Sequence, residues 1–217
     1  MTSRSTDYSL WEAIKVNYKG VHSMAYDSLI SRRQVLGGIA AASTLPFGNL
    51  LAATANKPMR GALMILSTPY TEAGDVDFDD LAEEVAFCER CGVQGIVWPQ
   101  NSSEQRYLTK QERIRGFEVL AQANRGRSMS LTLGVQADDT EGMLEYARVA
   151  ESLEPDGMIA IPPTSADSLE QIRAYYAALC EITARPIFVQ TSGGPQIELP
   201  IEFLVQLARD FPQCGYI

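Results

Sequence analysis

Gly61-Ala-Leu-Met-Ile-Leu-Ser67, closed by Thr68-Pro69, is an apolar run too short for a helix and ended by a turn signal. It therefore reads as a buried strand. Asp77-Phe-Asp-Asp80 then opens a helix to about Arg90, with aspartates where the helix dipole favours negative charge. The same couplet repeats down the chain. Strands are predicted at residues 95–98, 130–134, 157–161 and 186–190. Helices are predicted at about 110–123, 139–153, 168–182 and 200–209. Three of these helices open with a box-like signal: Thr109-Lys-Gln-Glu112, Asp138-Asp-Thr-Glu141 and Asp167-Ser-Leu-Glu170. The last has Pro200 near its first turn, where a missing N–H costs least. Gly215-Tyr-Ile217 has the look of the opening of a sixth strand.

Continuous apolar strands between amphipathic helices imply an α/β protein with a parallel sheet covered by helices. An open doubly wound sheet and a closed barrel share that signature. Length alone favours the open sheet, since a barrel typically takes about 250 residues. No glycine-rich phosphate loop follows the first strand, where a nucleotide-binding open sheet would carry one. Thr68-Pro69-Tyr70 stands there instead.

The amino-terminal residues differ in kind. Ser31-Arg32-Arg33-Gln34-Val35-Leu36 is a twin-arginine pair, followed by a weakly apolar, small-residue stretch ending in Ala53-Thr54-Ala55. This is the pattern of a twin-arginine (Tat) signal with cleavage near Ala55. Pro46, Gly48, Asn49, Ser43 and Thr44 interrupt the apolar run, which falls short of the ~20 apolar residues of a membrane span. The expectation is residues 1–55 as an extension and signal, residues 56–217 as the folded body, the Tat translocon as a transient partner, and a periplasmic or otherwise exported product with no stable membrane span. Residues 1–23 are long for a signal and contain Trp11, Tyr18 and His22; a start at Met24 would place the arginines where such signals carry them.

Composition excludes several classes. The 217 residues are 46% hydrophobic and 21% charged, as in ordinary globular proteins. Five of the 18 basic residues lie in the first 55 positions, so residues 56–217 carry a net charge of −11. Such a surface repels phosphate backbones, and nucleic acid is not an expected partner. The only histidine is His22, so the body has no imidazole for a Ser-His-Asp or Cys-His arrangement or for His-ligated zinc. The Cys88-Glu-Arg-Cys91 spacing suits a redox pair. The simpler reading packs Cys88 on a helix face with Leu81 and Val85 and leaves Cys91 at the helix end. No metal or cofactor is expected.

Four stretches, in order and with intact spacing, carry a family resemblance. Gly74-Asp-Val-Asp-Phe-Asp-Asp-Leu81 followed by Cys91-Gly-Val-Gln-Gly-Ile-Val97 is similar to "G-x-V-D-x-x-x-L … A-G-V-x-G-I/L". Asn101-Ser-Ser-Glu104 with Leu108-Thr-x-x-Glu112-Arg113 resembles "T-T-G-E-x-x-x-L-T-x-x-E-R". Pro155-Asp-Gly-Met-Ile-Ala-Ile-Pro-Pro163 resembles "A-D-G-x-L-V-x-P-P", and Pro186-Ile-Phe-Val-Gln190 stands where "P-I-x-L-Y-N" is found. Over residues 60–217 the chain thus resembles the dihydrodipicolinate synthase and N-acetylneuraminate lyase family of (β/α)8 TIM-barrel aldolases, cut off after five β/α units and the start of strand six.

That resemblance implies class I aldolase chemistry, in which a lysine on the sixth strand forms a Schiff base with a 2-oxo acid. Hydroxyls and N–H groups after the second strand hold the substrate carboxylate, and a tyrosine on the fifth strand relays a proton. Carried over by position, Asn101 and Ser102 stand at the two threonines, Ser103 at the glycine and Glu104 at the glutamate. Gln190 stands at the relay tyrosine, and an amide cannot shuttle a proton as a phenol does. Thr164 and Ser165 stand at two tyrosines after Pro-Pro, and Ser165 is taken as a third binding residue beside Asn101 and Ser102. Thr191-Ser-Gly-Gly-Pro195 replaces an arginine-bearing loop, which argues against dihydrodipicolinate synthesis itself. The lysine is expected directly after Ile217, since only Lys57 and Lys110 remain after residue 55. The full-length parent is thus expected to be a carbon–carbon or carbon–oxygen lyase, able to form homo-oligomers, and the chain as given inactive. The alternative is a non-catalytic small-acid-binding or interaction protein.

Overall fold

A computed structural model describes residue 57 and residues 59–217, so the signal-like segment and its cleavage site lie outside the described residues. The body alternates strand and helix five times: β1 (Leu63–Ile65), α1 (Phe78–Arg90), β2 (Gly95–Trp98), α2 (Lys110–Ala123), β3 (Ser130–Gly134), α3 (Thr140–Ser152), β4 (Gly157–Ala160), α4 (Leu169–Ile182), β5 (Ile187–Val189) and α5 (Ile201–Asp210). Short 3₁₀ turns follow β2 (Asn101–Ser103) and α5 (Pro212–Cys214). No described helix is long and apolar enough to cross a membrane.

All neighbouring strands are parallel, and their order across the sheet is β1-β2-β3-β4-β5. This order separates the two architectures left open by the periodicity. A doubly wound sheet reverses direction at a switch point, whereas a barrel adds each strand beside the last. Tyr216 continues the progression with a parallel bridge to Phe188, its carbonyl accepting from Val189 N–H at 2.8 Å. The expected opening of a sixth strand is therefore in place.

Register shows how the faces divide. Met64, Ile96 and Leu131 are in step, as are Ile65, Val97 and Thr132. Successive side chains point to opposite faces. Ile96, Trp98, Leu131, Leu133, Met158, Ala160, Ile187 and Val189 join the buried core with Leu81, Val85, Phe117, Leu120, Met143 and Ile172 from the helices. The alternate positions form a second face that mixes small or polar residues, Gly95, Ser130, Thr132, Gly134 and Gly157, with apolar Ile65, Val97, Ile159 and Phe188.

Helix starts follow local chemistry, with two shifts of one residue. Thr109 and Glu112 form the expected capping box. At α3 the cap is Asp139, accepting from Gly142 N–H, rather than Asp138; at α4 it is Ser168, accepting from Gln171 N–H, rather than Asp167. In each place two consecutive residues can cap. The two residues that cap, Asp139 and Ser168, both have extended backbone, as an N-cap requires. Cys88 packs with Leu81 and Val85, and Cys91 caps the C-terminus of α1, as the simpler cysteine reading expects.

Candidate functional site

The carboxyl ends of the strands carry the polar loops. Beyond β2 the chain turns at once into Asn101–Ser103, and Ser103 anchors this turn. Its buried hydroxyl accepts from Gln100 N–H (3.0 Å) and donates to Leu66 O (2.5 Å), while its carbonyl accepts from Thr68 Oγ1 (2.6 Å). Thr68 in turn accepts from Trp98 Nε1 at 3.1 Å. The β1 and β2 ends are thus tied by a serine where the resemblance has glycine. The left-handed backbone of this turn falls on Glu104 (φ 56°), while Ser103, which stands at the family's glycine, lies in the 3₁₀ turn.

Asn101 and Ser102 lie on the exposed side of the turn. Asn101 Nδ2 reaches Ser192 O at 3.5 Å, and Gln190 Nε2 donates to Ser192 Oγ at 2.8 Å. The structure therefore joins Asn101 and Gln190 at one rim through Ser192 of the loop after β5, with Ser102 the exposed residue next to Asn101. Ser165 is not part of that rim. It opens onto a separate hollow bordered by Asp139, Thr140, Gln171 and Tyr175, whereas its neighbour Thr164 lines a cavity that reaches Gly193.

That cavity, of about 340 Å³, is bordered by Gln105, Arg106, Gln136, Asp138, Thr164 and Gly193. An amide chain crosses its floor: Gln100 Nε2 donates to Gln136 Oε1 (3.1 Å), and Gln136 Nε2 donates to Gln105 Oε1 (2.6 Å) and Pro99 O (2.8 Å). Two cations flank it. Arg113 is buried, donates to Gly134 O at 2.9 Å and stacks 3.9 Å from the Tyr146 ring, and burial pulls its pKa down. Arg106 is exposed and extends from the β2 side to donate to Gly193 O at 3.2 Å. A guanidinium thus reaches Thr191–Pro195, the loop where the family resemblance leads one to expect an arginine. Glycine spacing cannot reveal this, because the link spans 87 residues of chain.

Tyr70, after β1, is a phenol on the same side that the sequence reading did not single out as a site residue. Burial, and then the charge and hydrogen bond of Glu104, push its pKa up, so it keeps its proton at neutral pH. Neither described lysine serves the rim. Lys57 Nζ donates to Met129 O just ahead of β3, at the opposite end of the sheet, and Lys110 pairs with Glu145.

A one-directional parallel β/α sheet with its polar loops gathered at the strands' carboxyl ends is the frame of a β/α barrel. The chain belongs to the dihydrodipicolinate synthetase family, whose profile matches residues 58–213. It is 25% identical over 155 residues to a 4-hydroxy-tetrahydrodipicolinate synthase from Rhizobium meliloti, covering 70% of this chain and 52% of that protein. A synthase of the same name from Heliobacterium modesticaldum is 29% identical over 128 residues, 58% of this chain and 42% of that protein. Among solved structures, a dihydrodipicolinate synthase from Agrobacterium tumefaciens superposes with a TM-score of 0.63 at 27% identity, over 69% of this chain and 50% of that one. The N-acetylneuraminate lyase from Mycoplasma synoviae gives 0.61 at 23%, over 68% and 51%. The chain spans about half the length of the curated relatives it matches. Its five β/α units are part of a (β/α)8 barrel.

Proposed function

We propose that this chain is the amino-terminal part of an exported lyase of the aldolase type, acting on a 2-oxo acid through a Schiff-base lysine that follows Ile217. The observation that supports the reading is the link of Asn101 and Gln190 through Ser192, beside the exposed Ser102. The substrate carboxylate would sit against Ser102 and nearby N–H groups, where donors oriented in advance stabilise charge. Gln190 at the tyrosine position would orient rather than relay protons, since an amide does not titrate usefully. Residues 1–55 would serve as the Tat-directed leader, removed near Ala55, with the translocon as partner and the periplasm as destination.

The decisive experiment uses the product of the full coding sequence. A 2-oxo acid such as pyruvate, with borohydride, is expected to leave a stable adduct on the residue after Ile217, because the amine attacks the carbonyl and the iminium is then reduced. A folded full-length protein that forms no adduct with pyruvate or longer 2-oxo acids overturns the lyase reading. One observation favours a second reading, a non-catalytic small-acid binder: the amide of Gln190 pairs with Ser192 and offers no titrating group. Binding of the acid without adduct would select it. For export, replacing Arg32 and Arg33 together with lysine is expected to retain the uncleaved protein in the cytoplasm; normal export of that variant rejects the leader assignment.

A further inference from the structure

We propose that Cys180 and Cys214 form a thiol–disulfide pair whose closure pins the start of the sixth strand to the body of the sheet. Cys180 lies in the last turn of α4 and Cys214 ends the 3₁₀ turn after α5. Their sulfurs are 3.6 Å apart although 34 positions separate them in sequence. A disulfide needs about 2.0 Å, so bond formation brings the sulfurs about 1.6 Å closer. The backbone around Cys214 is held, its N–H donating to Phe211 O at 2.9 Å.

The two thiols are unequal in a way that suits exchange. Cys180 is partly exposed, and the hydrogen bond it receives from Cys214 lowers its pKa. Cys214 is 2% exposed, and that same bond, followed by burial, pushes its pKa up. An accessible thiolate beside a buried thiol gives one attacking and one resolving sulfur. Cys88 and Cys91 offer no such pairing, since one is in the core and the other is exposed at the end of α1.

With a small disulfide such as oxidised glutathione as oxidant, the Cys180 thiolate attacks one sulfur and expels a thiolate, leaving a mixed disulfide. Cys214 then gives up its proton and attacks the Cys180 sulfur, expelling the second thiolate. Two electrons pass to the oxidant, which leaves as two thiols. Two residues on from Cys214, Tyr216 bridges Phe188, and their rings are 5.0 Å apart. The new bond would hold that bridge in register. On the lyase reading the amine follows Ile217, so the bond would steady its strand; the thiol chemistry does not depend on that reading.

The 217-residue chain is equilibrated in glutathione buffers of graded oxidation, acid-quenched, alkylated and mapped as peptides without reduction. The expected product is one intramolecular Cys180–Cys214 bond with Cys88 and Cys91 alkylated. Its effective concentration should exceed that of the same pair in guanidinium chloride by about tenfold or more. A Cys88→Ser/Cys91→Ser variant should keep the bond, and Cys214→Ser should leave only a glutathione adduct on Cys180. Equal effective concentrations in buffer and denaturant overturn the proposal. So do separate glutathione adducts on both cysteines of the unmutated chain, or pairing of Cys180 with Cys91.

Discussion

Ser102 and Ser103 are adjacent and chemically identical, yet they do different work. Ser103 is fully buried, with three hydrogen bonds through its hydroxyl and carbonyl, whereas Ser102 is exposed and free for a ligand. Ser103→Ala is expected to lower stability by about 1–3 kcal/mol, because Leu66 O and Gln100 N–H lose their buried partner. Ser102→Ala should leave the urea midpoint unchanged while weakening 2-oxo acid binding in the full-length protein. Equal midpoints for the two variants would contradict this division. Arg106 belongs to the same scale. Arg106→Gln is expected to weaken a dicarboxylic 2-oxo acid more than a monocarboxylic one, by roughly 1.5–3 kcal/mol, the worth of a charged hydrogen bond. Titration calorimetry with the two acids checks it. Sequence alone could locate the serines but not assign them, since which one is buried depends on the Leu66 carbonyl just after β1, 37 residues away.

At the scale of elements, the stretch from Leu108 to Arg113 is an anchoring device. Leu108 is buried, Thr109 and Glu112 cap α2, and Arg113 ties the helix to Gly134 at the end of β3. Gly116, one turn on, lets α2 press against β2: a Cβ there would lie 2.3 Å from the Trp98 ring. Glycine inside a helix costs about 1 kcal/mol against alanine, so a surface site would gain from the exchange. Here Gly116→Ala is expected to destabilise instead, by about 1–3 kcal/mol, because the core must shift to admit the methyl. A raised melting temperature would show that the helix does not sit this close. Strand and helix positions were legible because apolar period and capping residues are local. The capping shifts to Asp139 and Ser168 were not, because the loop that delivers the chain chooses between neighbouring candidates.

For the whole molecule, the described sheet has β1 as an edge, and Met64 and Ile65 on it are 48% and 39% exposed. On α5, Ile201 and Val205, one turn apart, are likewise open to solvent. Residues 56–217 made alone are expected to self-associate or bind a hydrophobic dye through these surfaces. A monomer with one sharp melting transition and no dye binding would count against that. Closing Cys180 to Cys214 should add roughly 3–5 kcal/mol through the loop it constrains, seen as a reducing-agent-dependent melt. The alternation of apolar runs and capped helices by itself determined a parallel β/α protein, and the ordered motifs identified the family, because both are written in residues close in sequence. Tertiary structure alone decided the one-directional strand order, the choice of Ser103 over Ser102 as anchor, the placing of Ser165 outside the rim, and the meetings of Arg106 with Gly193 and Cys180 with Cys214. Each depends on groups brought together across tens of residues, and no local periodicity records which distant carbonyl or sulfur a side chain will meet.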